Sequence, residues 1–371
     1  NKINLSVGVY KDEAGTTPLL ESVRTASERV IADQASKAYL PIDGNPAYTQ
    51  AVQHLMFGPD HEVVTSGRAA TSHTPGGTGG LRVAADFIHQ NLPNATVWLT
   101  DPTWPNHPGI FAAAGVPTKS IPSFDAATNG LAFDRALAAI KEVPAGDVLL
   151  LHGCCHNPTG IDPTPDQWEQ MAAAVRAGGV LPLLDFAYQG FADGVEQDAV
   201  GLRALSQPGE ELIVCSSFSK NFGLYCERVG ALTMVAGDAD CAAAVQSQVK
   251  RTVRTNYSNP PAHGGALVTT VLADAALREQ WEREVAQMRD RINGMRQALA
   301  DGLQAAGVTG DFSFITRQRG MFSFSGLTPE EVDTLREKHS IYVVRSGRIN
   351  VAGITPTNID RLCQAIKEVR G

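Results

Sequence analysis

Residues 147–153 read DVLLLHG and residues 180–186 read VLPLLDF. Each is a short apolar run that ends on a polar or charged residue. Unbroken apolarity, as opposed to alternation, marks strands buried on both faces, the habit of parallel sheets covered by helices. Strands are therefore expected at 147–152 and 180–185. Between them, Thr164 and Gln167 fit a capping box with Pro165 just inside, a helix is predicted over Gln167 to Ala177, and Gly178–Gly179 stop it. Strand, helix and strand in succession predict an α/β fold with a mostly parallel sheet flanked by helices. Further strands are expected at 63–65, 96–100, 212–216 and 229–235. Helices are expected from Leu81 to Gln90 and from Asp134 to Lys141.

The pattern changes after Asn256. Residues 263–306 contain few helix breakers and predict one or two long helices. The remainder reads β-α-β-α: GMFSFSG (320–326), TPEEVDTLREKH (328–339) with Thr328 and Glu331 as a second capping box, IYVV (341–344) and NIDRLCQAIKEV (358–369). This is a smaller α/β unit. A chain of 371 residues, at about 150 per domain, also reads as two domains.

Composition narrows the function classes. Lys+Arg number 31 against 39 Asp+Glu, a net charge of −8, which argues against a general nucleic-acid binder. No stretch of eighteen apolar residues is present, so no membrane span is expected. The six cysteines, at 154, 155, 215, 226, 241 and 363, have no regular spacing and read as free thiols in a reducing compartment. With no signal or transit segment in this sequence, the cytoplasm is the expected location.

In open α/β sheets, ligands lie beyond the carboxyl ends of the strands, so polar residues there are the candidates. HTPGGTGG (73–80) puts Gly77 and Thr78 ahead of a helix. Bare amides at a helix N-terminus take a phosphate, although a tight turn with no ligand reads the same way. It is neither a Walker A motif nor a dinucleotide fingerprint. Trp104, between Pro102 and Pro105 in DPTWPNH, is placed to stack on a planar ring or to fill a gap against the core. In HGCCHNPTG (152–160), His152, Cys154, Cys155 and His156 do not read as a metal site, because strand side chains alternate and no second ligand cluster exists. Asn157 there sits where an amide can hold a ligand oxygen. Asp185 ends an apolar strand, costly unless the carboxylate is paired. A cationic ring nitrogen, a local arginine and helix capping are alternatives, and Tyr188 follows three residues later. In SSFSKNFGLYCERVG, Ser217 and Ser219 crowd Lys220, where desolvation and the nearby Arg228 would lower the amine's pKa and expose a nucleophile. Arg254 and Arg348 lie outside charge-rich helices and suit carboxylate recognition.

The segments NLSVGVYKDE, TPGGTGGLRVAADF, DPTWPNH, HGCCHNPTGIDPT, DFAYQGF, SSFSKNFGLYCERVG, NYSNPPAHG, GMFSFSGL and SGRINVAG, in this order, resemble the fold-type I pyridoxal-phosphate aminotransferases of class I, the aspartate and aromatic group. The resemblance covers essentially all of 1–371. It implies a large cofactor-binding domain at 18–287 with a mostly parallel seven-stranded sheet, and a small domain built from both chain ends, 1–17 and 288–371. It implies pyridoxal 5'-phosphate as cofactor and no metal. Lys220 resembles the lysine that bonds the cofactor covalently and then carries the proton. Asp185 resembles the carboxylate against the ring nitrogen, with His156 behind it. Tyr188 and Asn157 resemble the donors to the ring's phenolic oxygen, and Trp104 the stacking aromatic. Gly77, Thr78, Ser217, Ser219 and Arg228 resemble the phosphate cup, to which Tyr39 is added from a neighbouring subunit. Arg348 resembles the clamp on the substrate α-carboxylate. Arg254 resembles the arginine that reaches a distal carboxylate across the dimer, and Gly8 a backbone contact to substrate.

A homodimer with shared active sites follows from the resemblance, with amino acids and 2-oxo acids as substrates and neither nucleic acid nor membrane as partner. Lys11, Thr17, Thr78, Asn259 and Val9 resemble the aspartate-type set, whereas Ala38 leans toward aromatic relatives. The expected reaction is ping-pong transfer from L-aspartate to 2-oxoglutarate. A primarily aromatic enzyme is the alternative.

Overall fold

The computed structural model describes residues 2–370. Residues 1 and 371, the outer limits of the expected small domain, lie outside the described residues. A seven-stranded sheet is built from β1 (Ala69–Pro75), β2 (Val97–Asp101), β3 (Thr118–Pro122), β4 (Val148–His152), β5 (Leu181–Phe186), β6 (Leu212–Ser217) and β7 (Val229–Val235). Their spatial order is β1-β7-β6-β5-β4-β2-β3. The sheet is mixed: β7 runs antiparallel to both β1 and β6, and the other pairs are parallel.

The apolar runs that predicted the sheet divide cleanly between its faces. Leu149, Leu151, Leu184, Phe186 and Val214 join one core, while Val148, Leu150, Leu183, Ile213 and Cys215 join the other. Side chains alternate along each strand, yet both faces are covered, so no position is left for a polar residue until the strand ends. The register then aligns those ends. His152 pairs with Asp185, and Asp185 with Cys215. Asp185 and the segment after β6 thus emerge on one edge, with Lys220 three residues beyond Ser217.

Helix Pro165–Gly178 starts with the Thr164–Gln167 capping box and ends on Gly179 at φ 62°. The second capping box, Thr328 with Glu331, opens helix Pro329–His339. The long helical region divides into Ala262–Ala273 and Ala275–Ala305, where the Asp274 side chain accepts the amides of Ala276 and Leu277. Both chain ends meet: Ile3–Asn4 pairs in parallel with Ile341–Tyr342, and Phe322–Phe324 pairs antiparallel with Arg348–Asn350. No helix among the described residues is long and apolar enough to cross a membrane.

Two expectations need correction: Arg254 lies in the last turn of helix Ala239–Asn256, which also carries Lys250 and Arg251, not outside a charged helix, and residues 63–65 are not a strand. Residues 63–65 belong to a short helix, Glu62–Thr65, whose first turn is capped by the His61 side chain. Their apolar character serves packing, since Val63 is fully buried. The strands β1 and β3 were not anticipated. β1 reads AATSHTP and is small and polar although buried, and β3 reads TKSIP on the sheet edge, where only Ile121 is buried.

Candidate active site

At the carboxyl edge of β5 and β6, a cavity of about 260 Å³ is lined by Gly8, Gly77, Thr78, Trp104, Asn157, Asp185, Tyr188, Ser217, Ser219, Lys220, Arg228 and Arg348. Twelve sequence-predicted residues from distant parts of the chain therefore converge on one space. Leu81, Ala187, Tyr225 and Phe322 also line it and were not singled out from the sequence. Tyr39 and Arg254 are exposed and stand outside it.

One end of the cavity is built for an anion. Helix Gly76–Asn91 begins at Pro75 without any side-chain cap, so its first amides have no partner within the helix. Gly76 takes φ 72°, and a Cβ there would meet the Arg228 guanidinium at 2.3 Å, so only glycine lets the arginine lie across the turn. Arg228 donates to Ser219 Oγ at 3.2 Å, and Ser219 is linked in turn to Ser217 Oγ at 3.2 Å. Amides, two hydroxyls and a guanidinium are what a phosphate monoester needs.

The cavity is also lined by Asp185, held by His107. The His107 Nε2 atom lies 3.0 Å from Asp185 Oδ2, and Nδ1 lies 2.8 Å from Thr103 Oγ1. With Nε2 donating to the carboxylate, Nδ1 accepts from the Thr103 hydroxyl. Asp185 Oδ1 has no hydrogen-bond donor among the described residues, which leaves it for a cationic group in the cavity. Asp185 is therefore not a helix cap.

Sequence reasoning assigned the histidine behind Asp185 to His156, and the structure assigns that place to His107. His156 instead bonds Thr100 Oγ1 at 3.0 Å and Thr159 Oγ1 at 2.8 Å. Its ring packs on His152 at 4.3 Å, and His152 packs on His107 at 5.2 Å, so His156 is two rings removed from the carboxylate. His156 lies in the turn past β4, where Thr100 and Thr159 engage its ring, and His107 arrives from a different loop, at the start of helix Asn106–Ala113. The sequence signal was there: DPTWPNH places a histidine at a helix start just past a strand end.

Lys220 lines the same cavity, within electrostatic reach of both Asp185 and Arg228. Burial pushes its amine below the ordinary lysine range, the Asp185 charge opposes this, and Arg228 reinforces it. Its Nζ sits 4.5 Å from the centroid of the Tyr188 ring. Burial, with the Asp185 charge, pushes the Tyr188 hydroxyl well up, so it stays a hydrogen-bond donor at neutral pH. Trp104 lines the cavity and also packs edge-on against His107 at 5.2 Å, so it fills space against the wall and leaves part of its surface to the cavity.

Arg348 occupies the side facing the chain ends. It donates to Asn157 Oδ1 at 3.1 Å and to the Ser6 carbonyl at 2.9 Å, and its Nε has no partner. Gly8 passes over the Phe322 ring, where a Cβ would come within 2.9 Å of Cζ. The Tyr225 hydroxyl accepts the Tyr10 amide at 2.9 Å and ties this segment down. Nearby cysteine and carboxylate groups are otherwise engaged: Asp198 accepts four backbone amides, from Gly190, Ala192, Asp193 and Gly194. Burial pushes the Cys155 thiol up to about 12.

An anion cup, a buried carboxylate and an amine lowered by burial around one cavity suit an enzyme that works through a phosphorylated, ring-bearing aldehyde. The comparisons with known proteins agree. The model of the family "Aminotransferase class I and II" matches residues 1–366. The aspartate aminotransferase of Salmonella typhi is 53% identical over 368 residues, covering 99% of this chain and 93% of that protein. The aromatic-amino-acid aminotransferase of Escherichia coli (strain K12) is 45% identical over 370 residues, covering 100% and 93%. A crystal structure of the aromatic-amino-acid aminotransferase from Burkholderia pseudomallei, covalently bound to pyridoxal phosphate, superimposes with a TM-score of 0.98 at 48% identity, covering 100% of this chain and 93% of that one. The chain belongs to the class I and II aminotransferase family. It is an aminotransferase, and its cofactor is pyridoxal 5'-phosphate.

The cavity fits that cofactor. The uncapped helix start with Gly77 and Thr78, together with Ser217, Ser219 and Arg228, would hold the phosphate; Asp185 would hold the ring nitrogen; Tyr188 and Asn157 would hold the phenolic oxygen. The cofactor supplies an aldehyde carbon for amine exchange and an electron-withdrawing ring. Asp185, held in place by His107, would favour a proton on a ring nitrogen facing it, as an opposite charge nearby favours the charged form. Lys220 Nζ, which burial makes easier to deprotonate, would take and return a proton beside the bound amino acid.

Proposed function

We propose that this enzyme moves the amino group of L-aspartate to 2-oxoglutarate, giving oxaloacetate and L-glutamate by a ping-pong sequence. The observation that carries the reading is Arg348. Its guanidinium faces the cavity that holds Lys220, without a carboxylate partner among the described residues and with Nε unbonded. A substrate α-carboxylate completes it as a bidentate pair. The second carboxylate of aspartate would be met by Arg254, contributed by a partner subunit in a homodimer. Arg254 is exposed, its side chain bonded among the described residues only to Ser258, at 2.7 Å, which leaves it able to reach another chain. Tyr39, 91% exposed, suits the same arrangement, reaching a neighbour's phosphate. The chain ends 1–17 and 288–371 are proposed to form the small domain against 18–287, supported by the pairing of Ile3–Asn4 with Ile341–Tyr342. A cytoplasmic location is proposed from the thiols, all six free.

The aspartate reading is supported by relatives named aspartate aminotransferase at 53% and 52% identity, against 44% to 45% for those named for tyrosine or aromatic amino acids. Primary activity on aromatic amino acids is the second reading. It is favoured by Leu81, Phe322 and Trp104 in the cavity wall and by the aromatic enzyme superimposing at 48% identity. Comparing kcat/KM for aspartate and phenylalanine, each with 2-oxoglutarate, decides between them. The reading expects aspartate to lead, and a lead for phenylalanine overturns it.

A further inference from the structure

Helix Ala275–Ala305 buries one face through Met288, Ile292, Leu299 and Leu303, and Arg296 lies on that same face, 1% exposed. A buried guanidinium is costly unless it is paired, and Arg296 forms no ion pair among the described residues. Its donors go to one short segment instead. Nη2 donates to the carbonyls of Gly320 and of Phe322, the latter at 2.7 Å, and Nη1 donates to the Ile315 carbonyl at 3.4 Å and to Ser323 Oγ at 3.3 Å. Burial pulls the guanidinium down to about 10, so it remains charged at neutral pH and grips the segment as a cation.

The other side of the same segment is pressed against the active-site turn. A Cβ on Gly320 would meet Cys155 Cβ at 2.4 Å, and a Cβ on Gly160 would meet the Phe322 carbonyl oxygen at 2.8 Å. The Gly160 carbonyl accepts the Arg319 amide at 2.6 Å. Phe322 is the outcome of this clamp. Its ring lies 4.2 Å from the Arg348 guanidinium carbon, in cation–π range, while Asn157, from the facing turn, bonds the guanidinium edge.

We propose that Arg296 is a positioning residue for substrate binding: it holds segment 315–323 from behind, fixes the Phe322 ring against the Arg348 guanidinium, and thereby sets affinity for the substrate carboxylate. The proposal rests on the reading of Arg348 as the carboxylate clamp. Arg296 touches neither substrate nor cofactor. Its influence is transmitted through the four acceptors and the aromatic ring.

The test uses Arg296→Lys and Arg296→Met holoenzymes. KM and kcat are measured for aspartate, and binding of succinate, a dicarboxylate without an amino group, is measured by calorimetry. Lysine keeps the charge but cannot reach four fixed acceptors with one fork. Both variants should raise KM and the succinate Kd about tenfold, the scale of a lost charged hydrogen bond. The fall in kcat should be smaller, and the cofactor absorbance band should not move. In a double-mutant cycle with Phe322→Leu, Arg296→Lys should add little once the ring is gone. Unchanged KM and Kd in Arg296→Lys, or full additivity with Phe322→Leu, overturns the proposal. Arg348→Lys tests the underlying reading separately. If it leaves succinate binding intact, that reading fails; if it weakens binding while Arg296→Lys does not, only the present proposal fails. Should the Arg296 variants not fold, Ser323→Ala removes one acceptor and should raise KM and Kd by about two- to threefold, and unchanged values there overturn the proposal as well.

Discussion

Replacing Gly230 with alanine tests whether the phosphate cup depends on close approach between β7 and the helix start. Gly230 pairs with Thr74 on one side and Ser217 on the other. A Cβ there would lie 2.4 Å from the Gly76 carbonyl carbon, 2.7 Å from the Gly77 amide nitrogen and 2.7 Å from the Ser216 carbonyl oxygen. All three are backbone atoms, so no side-chain rotation relieves the clash. Ordinary contact requires an opening of about 1 Å. The Gly230 carbonyl is itself held by the Tyr48 hydroxyl at 2.7 Å, so the helix start is the part that moves, and it carries the Gly77 and Thr78 amides. A displacement of about 1 Å at preorganised groups costs on the order of 100-fold, and overpacking costs about 1–3 kcal/mol of stability. The assay titrates apoprotein with pyridoxal phosphate by absorbance, alongside Tm with and without cofactor. The variant should bind about 100-fold more weakly and lose about 2.7 kcal/mol of cofactor-linked stabilisation. Gly237→Ala, with nothing within 4 Å of the new methyl, is the control and should change neither. A folded Gly230→Ala protein that binds cofactor within twofold of the parent refutes the reasoning.

Two further predictions concern the buried histidines. His107→Ala removes the hydrogen bond to the Asp185 carboxylate and should lower kcat/KM by about 10- to 100-fold, whereas His156→Ala should leave it within about threefold while lowering Tm; the reverse ranking would return the role to His156. Burial lowers His73 to about 4, His156 to about 3 and His152 well below its ordinary value. The unfolded chain takes up protons on them below pH 6.5, so their contribution to stability is complete above that pH and is lost as pH falls toward the folded values. Each costs about 1.4 kcal/mol per pH unit in that window. Asp162, raised to about 6 by burial, acts in the opposite sense between pH 6 and 3.8, as does Asp198 in direction. His73→Gln should therefore flatten the urea-unfolding free energy against pH by about 1.4 kcal/mol per unit between pH 4 and 6.5, and an unchanged slope contradicts the assignment.

Part of the site was legible because some of its key residues follow the end of an apolar run. Asp185 and Lys220 stand out where VLPLLDF and the run into SSFSK stop being hydrophobic. The sheet's centre was legible for the same reason, and its margins were not. β1 is buried but made of small polar residues that bond across to neighbours, as Thr71 does to Thr233 at 2.9 Å, and periodicity of hydrophobicity carries no trace of that. The sequence marks His107 only as a histidine at a helix start; that it meets Asp185 depends on where its loop folds back, a long-range fact. Arg296 left a signal that went unread: an arginine at helical spacing among Ile292, Leu299 and Leu303. Tyr39 owes its assignment to resemblance alone, as does the cross-subunit role of Arg254, and within one chain neither lines the cavity.

The account stands on the amine of Lys220 carrying the cofactor. Reducing the holoenzyme with borohydride, digesting it and weighing the peptides by mass spectrometry tests this directly. The account predicts a pyridoxyl-phosphate mass on the peptide containing Lys220, and none on the same peptide from Lys220→Ala. An unmodified Lys220 in fully loaded enzyme, or the adduct on another lysine, would contradict it.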